Sequence, residues 1–287
     1  MFGKNEKVGQ KFFNEVKDKD VLFVTSIFFT LQGEGPYRGL PAVFVRLAKC
    51  NLDCSFCDTF FDDGDWLSFD EIDKRISQTI NLYYADKGLD VPDWAKNREM
   101  VLVMTGGEPM LQQNIGPFLQ TVGQSFKYTQ IESNGAFLQD IPESTTLVVS
   151  PKVVEKNGQM IKYLNIRENV LERANCSKFV MESNPESPYP DIPDFAKQWK
   201  LDNPDKDIFI SPMNIYNDQP RNAKTLRSEK QEITLDERST VDEVISFWEE
   251  GLLNMKANQI NHEYAANYCV QHGHILNLQI HLYASLA

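Results

Sequence analysis

The amino-acid sequence predicts an α/β fold built on a mainly parallel sheet. Short apolar, β-branched segments alternate with segments in which apolar residues recur every three or four positions, so strands alternate with helices. Glycine, glutamate, serine and lysine residues follow directly after several of these predicted strands. In parallel sheets the carboxyl ends of the strands share one edge, where ligands bind. We therefore expect the functional residues at that edge.

Length and composition indicate an ordinary globular protein. The chain has 287 residues, of which 41% are hydrophobic and 24% are charged. It contains no internal repeat, low-complexity tract or credible linker, so we interpret residues 1–287 as a single domain. The lack of a long apolar run or a signal-peptide core predicts a cytoplasmic location without membrane binding. The net charge of −12 argues against a generic nucleic-acid-binding protein.

The N-terminal part of the chain predicts an arm followed by two strands. Residues 1–20 are mixed and highly charged, and we expect an exposed arm or a short helix there. Residues 21–30 and 43–48 are apolar and β-branched, which predicts strands. The turn-rich segment between them would allow the two strands to pair.

A helix is predicted to follow, because Ser68 and Glu71 form a capping-box pattern. Isoleucines at helical spacing would form its buried face: Ile72, Ile76 and Ile80. Residues 81–99 break this periodicity, and we interpret them as an insertion.

The remaining chain alternates between strands and helices. Five apolar segments predict core strands: residues 100–105, 128–132, 146–149, 178–181 and 207–210. A helix through residues 111–122 is predicted between the first two. Residues 215–238 are polar without periodicity and predict an inserted loop before a long helix over residues 240–272. A last strand is predicted over residues 275–281.

Three of the five cysteines lie on one short loop after the strand predicted at residues 43–48. Cys50, Cys54 and Cys57 have the spacing C-x3-C-x2-C. Three thiolates cannot all pair as disulfides, and they complete a tetrahedral zinc site only with a fourth ligand. They suit an iron–sulfur cluster in which one iron keeps an open position. A chance cluster of buried cysteines and a zinc-binding interaction module are the alternatives.

Together with a second motif, this loop resembles the radical S-adenosylmethionine superfamily. Gly106, Gly107, Glu108 and Pro109 follow the next core strand and match the GGEP pattern of that superfamily. The resemblance implies a partial, incomplete TIM-like barrel of parallel strands with helices outside, plus an N-terminal strand extension. It also implies that the three cysteines bind a [4Fe-4S] cluster whose open iron binds S-adenosylmethionine.

Further segments resemble the 7-carboxy-7-deazaguanine synthase family within that superfamily. They are residues 30–35, 39, 44–47, 50–52, 57–59, 105–109, 132–135, 150–152, 211–213 and 278–281. That family converts 6-carboxy-5,6,7,8-tetrahydropterin to 7-carboxy-7-deazaguanine with loss of ammonia, and its product serves tRNA queuosine, antibiotics or modified viral DNA. The alternative is a radical-activating enzyme that generates a glycyl radical on a partner protein. Such an enzyme would share the cysteines but would leave Gln32, Glu34 and Arg46 unexplained.

The resemblance implies two sets of binding residues. The S-adenosylmethionine set is Phe56, Asp58, Gly107, Glu108, Ser150, Pro151, Lys152, Ser211, Met213 and Asn214. The substrate set is Leu31, Gln32, Gly33, Glu34, Arg46, Thr105 and His281. Within it, Glu34 would accept hydrogen bonds from the ring N–H groups, and Arg46 would pair with the substrate carboxylate. Thr59 would be the protein ligand of a bound Mg²⁺, whose other ligands would be substrate and water oxygens.

Several of these residues also have a purely structural interpretation. Arg46 could be an ion-pair partner, His281 a core histidine and Lys152 a surface lysine. Cys176 and Cys269 lie in strand-like and helical patterns and are predicted to be buried as small apolar residues. By resemblance, the partners would be a flavodoxin or ferredoxin-type electron donor and a second copy of the chain in a homodimer.

Overall fold

The computed structural model describes residues 6–54, 57, 59, 61–156, 159–214 and 255–280. The strands are β1 (Val21–Leu31), β2 (Pro41–Leu47), β3 (Asp65–Ser68), β4 (Val101–Gly106), β5 (Tyr128–Ser133), β6 (Thr145–Val149), β7 (Val153–Lys156), β8 (Gln159–Tyr163), β9 (Cys176–Met181), β10 (Asp207–Pro212) and β11 (Ile275–Leu276). The helices are α1 (Phe69–Ala85), α2 (Asp93–Lys96), α3 (Ile115–Thr121), α4 (Glu168–Arg173), α5 (Asp194–Asp202) and α6 (Met255–His272).

Nine of these strands form one sheet in the order β11-β10-β9-β6-β5-β4-β2-β1-β3. Every neighbouring pair from β2 to β11 is parallel, whereas β1 runs antiparallel to both β2 and β3. No pairing among the described residues joins β11 to β3, so these two strands are the edges of the sheet as described. The predicted α/β fold with a mainly parallel sheet and an N-terminal strand extension is confirmed.

The predicted first helix and its packing are confirmed. The Ser68 Oγ accepts from the Glu71 N–H at 3.3 Å, and the Glu71 Oε2 accepts from the Ser68 N–H at 2.8 Å. The three predicted isoleucines are buried against the side of the sheet formed by Val43 and Val45. Burial of one such side chain stabilises the fold by roughly 1.5–3 kcal/mol.

Several elements differ from the prediction. Strand β3, the β7–β8 hairpin, α4 and α5 were not predicted, because each is short. Strand β3 also pairs with β1, which is distant in sequence. Helix α1 continues to Ala85, so the first part of residues 81–99 belongs to it. In the segment predicted as one helix over residues 111–122, a 3-10 turn at Pro109–Leu111 precedes the shorter α3. The last strand was predicted too long, since it ends at Leu276.

Some predictions fall partly or wholly outside the described residues. These are the loop at residues 215–238, residues 240–254 of the predicted last helix, and residue 281 of the last strand. At the N-terminus the predicted exposed arm contains a 3-10 turn, Gln10–Phe13, whose Phe13 side chain is buried. Within the described part of the chain, no helix has the length and apolar character required to cross a membrane.

Candidate functional site

A cavity of about 240 Å³ lies at the carboxyl ends of the parallel strands. Phe44, Thr105, Glu132, Lys178 and Ser211 line it, one each from β2, β4, β5, β9 and β10. Alternate residues of a strand lie on the same face, so these side chains share the face opposite the helix-packed core. The cavity therefore lies at the edge of the sheet where the sequence predicts functional residues.

The cavity brings together most of the predicted site residues. Those that line it are Gln32, Glu34, Cys50, Cys54, Cys57, Thr59, Thr105, Gly107, Ser150, Lys152, Ser211, Met213 and Asn214. Five further predicted residues are described but do not line it: Leu31, Gly33, Arg46, Glu108 and Pro151. Phe56, Asp58 and His281 lie outside the described residues.

The cysteine loop presents three thiols to the same cavity, and none of the five cysteines forms a disulfide. Cys50 is buried, and burial, aided by the charge of Glu108, raises the pKa of its thiol. The Leu52 N–H donates to the Cys50 Sγ at 3.4 Å. Three sulfur donors beside such an N–H fit the ligand chemistry of an iron–sulfur cluster. Within the described residues, however, no three His, Cys, Asp or Glu side chains are grouped so that they could hold a metal ion.

Two glycines hold the end of β4 against the start of the cysteine loop. The Gly107 N–H donates to the Leu47 carbonyl at 2.8 Å, and the Glu108 N–H donates to the Lys49 carbonyl at 2.9 Å. A Cβ atom at position 107 would lie 1.9 Å from the Lys49 carbonyl oxygen, and Gly106 has φ +112°. Only glycine allows two backbone segments to approach so closely with this conformation. The GGEP motif therefore fixes the position of the loop that carries Cys50.

The Glu108 carboxylate is fully buried and faces protein donors. Its Oε1 accepts from the Met110 N–H at 2.9 Å and the Ser133 hydroxyl at 2.8 Å, and its Oε2 accepts from the Asn134 N–H at 2.6 Å. Burial raises the pKa of this carboxyl to about 7, although the three donors favour the ionised form. The predicted contact of Glu108 with S-adenosylmethionine stays a prediction, because its oxygens do not line the cavity.

A buried ion-pair cluster occupies another part of the cavity wall. The Lys178 Nζ lies 2.9 Å from the Glu34 Oε2 and 2.8 Å from the Glu132 Oε2. Burial alone would lower the pKa of Lys178, but the charges of Glu132 and Glu34 outweigh burial and raise it. The Gln130 Nε2 donates to the Glu132 Oε1 at 2.6 Å, and the Asn277 Nδ2 donates to the Glu34 Oε1 at 3.2 Å.

Lys152 is a cavity residue and not the surface lysine of the structural interpretation. Its Nζ donates to the Ser150 carbonyl at 2.8 Å and also contacts the Ser150 hydroxyl. Burial, together with the nearby charge of Lys178, lowers the pKa of Lys152.

Another polar contact between two residues that line the cavity joins the Asn214 Nδ2 to the Gln279 Oε1.

Arg46 lies on the cavity face of β2, two residues beyond Phe44 and in register with Thr105. Its guanidinium stacks over the Phe28 ring at 4.7 Å, and Phe28 stacks on Phe44 with the ring centroids 5.0 Å apart. The aromatic pair thus supports the arginine beside the cavity. Its predicted contact with a substrate carboxylate stays a prediction.

Four residues of the ion-pair cluster were not assigned a role from the sequence: Gln130, Glu132, Lys178 and Asn277. A signal existed for two of them. Lys178 and Glu132 are charged residues within apolar strands, at alternate positions that place them on the same face as cavity residues. Asn277 was placed in a predicted strand, whereas its amide reaches the loop that carries Glu34.

Comparison with known proteins yields clear relatives, although no family model matches the chain. A 7-carboxy-7-deazaguanine synthase of Rickettsia prowazekii (strain Madrid E) is 37% identical over 219 residues, which cover 76% of this chain and 82% of the relative. A protein of the same name from Rhodospirillum rubrum is 31% identical over 205 residues, 69% of this chain and 73% of the relative.

One solved structure resembles the whole described fold. The crystal structure of QueE from Escherichia coli superposes with a TM-score of 0.54 and 19% sequence identity. The match covers 95% of this chain and 99% of that chain. At this identity the likeness concerns the fold alone.

Proposed function

This chain belongs to the 7-carboxy-7-deazaguanine synthase family, and on that basis we propose that it converts 6-carboxy-5,6,7,8-tetrahydropterin to 7-carboxy-7-deazaguanine. Family membership makes it a radical S-adenosylmethionine enzyme of queuosine biosynthesis. In the proposed reaction the six-membered reduced ring contracts to a five-membered ring, and one ammonia leaves. Substrate minus ammonia has the composition of the product, so no further oxidant or reductant is consumed.

The observation that carries the proposal is one cavity with two chemically different walls. Cys50, Cys54 and Cys57 line it together with Glu34 and Lys178. A cluster-binding thiol set and an anionic, hydrogen-bonding wall within 240 Å³ suit a small polar heterocycle held beside a radical source.

The residues that would hold the cofactors follow from the lining. The three cysteines would bind the [4Fe-4S] cluster. Their thiols would have to move closer together on binding, because the described cysteines are not grouped closely enough to hold a metal. The residues that would hold S-adenosylmethionine at the strand ends are Gly107, Ser150, Lys152, Ser211, Met213 and Asn214. When bound, the two cofactors together supply one-electron chemistry that removes a hydrogen atom from the substrate.

The chain's own groups bind and orient the substrate. The Glu34 carboxylate is an acceptor for ring N–H groups, and the Gln32 side-chain amide offers a donor to a ring carbonyl. Arg46 would pair with the substrate carboxylate, for which a planar guanidinium is the suitable partner. Thr105 lines the same cavity in register with Arg46 and would complete the substrate pocket, and Thr59 would provide one oxygen ligand to Mg²⁺.

The remaining expectations concern partners. A flavodoxin or ferredoxin-type protein would supply the electron, because the cluster must be reduced before turnover. The protein would act in the cytoplasm as a homodimer. We propose no nucleic-acid or membrane partner, in line with the net charge of −12.

An oxygen-free assay tests the proposed function. Protein reconstituted with iron and sulfide, reduced, and supplied with S-adenosylmethionine and 6-carboxy-5,6,7,8-tetrahydropterin should release 7-carboxy-7-deazaguanine, detected by mass spectrometry. Ammonia should form in equal amount, and addition of Mg²⁺ should raise the rate. Protein without S-adenosylmethionine is the control.

Two outcomes would contradict the proposal. One is a colourless protein that binds zinc and no iron after reconstitution, which would favour the interaction module. The other is formation of 5'-deoxyadenosine only when a partner protein is added, with no deazapurine product. That second result would favour a radical-activating enzyme.

A further inference from the structure

We propose that Lys178 is a positioning residue, which holds Glu34 and Glu132 as a pair of ionised acceptors for the amino side of the substrate ring. The inference rests on the proposed function and adds two residues, Lys178 and Glu132, to which no role has been assigned. In this proposal the two carboxylates together, and not Glu34 alone, give the site its preference for a ring that carries a 2-amino group.

The geometry places one ammonium between two carboxylates from distant parts of the chain. Lys178 is in β9, Glu132 ends β5, and Glu34 lies in the loop after β1. The Lys178 side chain is 11% exposed, and those of Glu34 and Glu132 are 18% and 14% exposed. Since all three line the cavity, this residual exposure faces the space that a ligand would occupy.

The hydrogen bonds leave acceptor capacity toward the cavity. Each oxygen of Glu34 accepts one protein hydrogen bond: the Oε1 accepts from Asn277 and the Oε2 from Lys178. Each oxygen of Glu132 likewise accepts one hydrogen bond: the Oε1 accepts from Gln130 and the Oε2 from Lys178. A carboxylate oxygen can accept two hydrogen bonds, so both carboxylates are fixed in place and still able to accept.

Lys178 is the cation that lies between the two carboxylates. Two carboxylates in one desolvated site repel each other, and a cation between them offsets this repulsion. Lys152 is a second cation near the pair, but its ammonium hydrogen-bonds to Ser150 and to neither carboxylate. Lys178 is therefore the residue that holds the two carboxylates together as acceptors.

An unpartnered donor at the same cavity points to a ligand with a matching acceptor. The Gln32 side chain is 2% exposed and lines the cavity, yet its Nε2 has no hydrogen-bond partner among the described residues. Its Oε1 is held by the Glu34 N–H at 3.2 Å. A 2-amino-4-oxo pyrimidine edge carries two donors next to one carbonyl acceptor. Two carboxylates beside one free amide N–H are complementary to that edge.

This arrangement predicts discrimination between two probe molecules. 6-Carboxypterin carries the 2-amino donor and is not a substrate for hydrogen abstraction, whereas 6-carboxylumazine has a carbonyl acceptor at that position. Ionised carboxylates should bind the first and repel the second. Once Lys178 is removed, the two carboxylates lose the ammonium that holds them side by side, so the preference for 6-carboxypterin should shrink.

The test is calorimetric binding of both probes to cluster-loaded protein with S-adenosylmethionine and without reductant. Wild-type protein should bind 6-carboxypterin at least roughly tenfold more tightly than 6-carboxylumazine, the ratio expected from one charge-assisted hydrogen bond. Lys178→Met should lose roughly tenfold in affinity for 6-carboxypterin and most of the preference. A purely structural lysine would weaken both probes equally.

Arg98→Met is the matched control, because Arg98 is a similarly buried cation that pairs with Asp73 away from the cavity lining. It should leave both affinities unchanged. If Lys178→Met does not fold, Lys178→Met combined with Glu132→Gln restores the net charge and should still bind 6-carboxypterin roughly tenfold more weakly than wild type.

Wild-type affinity and preference in the Lys178 variants would overturn the positioning role and leave the proposed function intact. Failure of the wild-type protein to bind 6-carboxypterin at all would instead overturn the proposed function, and this inference with it.

Discussion

The main-chain N–H of Asn134 donates to the Oε2 of Glu108 over 2.6 Å, and this bond joins the carboxyl ends of β4 and β5. The other oxygen of Glu108 accepts from Ser133, also at the end of β5. Asn134 continues the connection, because its Nδ2 donates to the Asn51 Oδ1 at 2.8 Å within the cysteine loop. One buried carboxylate thus supports the strand ends on which the loop of Cys50 rests.

Glu108→Gln should destabilise the fold and remove a pH dependence. The substituted amide nitrogen cannot accept from a main-chain N–H, and one unsatisfied buried donor costs about 1–3 kcal/mol. In wild type, burial raises the Glu108 pKa from 4.5 to about 7, so the folded state binds the proton more tightly than the unfolded state. The resulting contribution, about 3 kcal/mol, is present below pH 4.5 and is lost as the pH rises through 7.

The free energy of unfolding by urea, measured on cluster-free protein between about pH 5 and pH 8, checks this prediction, because the shifted pKa of Glu108 lies within that range. Wild-type stability should fall with rising pH, and the slope should flatten in Glu108→Gln. Equal slopes for the two proteins would show that Glu108 titrates normally.

Gly107→Ala should break the contact between β4 and the cysteine loop. The added Cβ would meet the Lys49 carbonyl oxygen at 1.9 Å, so the two backbones must separate, at a cost of about 1–3 kcal/mol or more. Gly9→Ala is the control, because a Cβ there meets nothing within 4 Å. The midpoint temperature of thermal unfolding and the iron content should both decrease in Gly107→Ala and stay unchanged in Gly9→Ala. Full iron loading in Gly107→Ala would contradict the idea that this glycine positions the cysteine loop.

Cys54→Ala should abolish cluster binding and all turnover, since two thiolates cannot hold the cluster. Cys176→Ala is the matched control: Cys176 is a buried cysteine of β9 that lies outside the cavity lining. Iron analysis and visible absorbance after reconstitution distinguish the two. Equal iron content in both variants would mean that the cluster is not bound by this loop.

Thr59→Ala should raise the Mg²⁺ concentration needed for half-maximal turnover, by roughly tenfold if one oxygen ligand is lost. Thr59→Ser keeps the hydroxyl and should behave like wild type. The measurement is the initial rate against Mg²⁺ concentration at saturating substrate. An unchanged Mg²⁺ requirement in the alanine variant would remove Thr59 from the metal site.

Local patterns predicted the parts of the fold and the site that depend on nearby residues. The capping box at Ser68 and the strand-end positions of Gly107, Ser150 and Ser211 all follow from short sequence windows. The partners of Glu34 do not, because Lys178 is 144 residues away in sequence. Which lysine meets which carboxylate depends on the order of β5, β6 and β9 in the sheet, which no local pattern contains.

Asn277 illustrates the same limit. Its apolar neighbours favoured a strand over residues 275–281, but β11 ends at Leu276. The Asn277 Oδ1 accepts from the Gly35 N–H at 2.8 Å, across a separation of 242 residues. Its main-chain N–H still donates to the Ile210 carbonyl of β10 at 2.8 Å, while its buried side-chain amide is paired with residues distant in sequence.

If one cavity holds both the cluster and the substrate, the two lie close enough for their spins to couple. Electron–nuclear double resonance on the reduced, cluster-loaded enzyme measures this coupling, with 6-carboxypterin labelled with ¹³C in its carboxylate as an unreactive ligand. A dipolar coupling between the cluster spin and the labelled carbon should appear, and it should disappear when unlabelled 6-carboxypterin displaces the probe. Saturating binding of the labelled probe without any resolved coupling would instead place the ligand away from the cysteine loop and contradict a shared cavity.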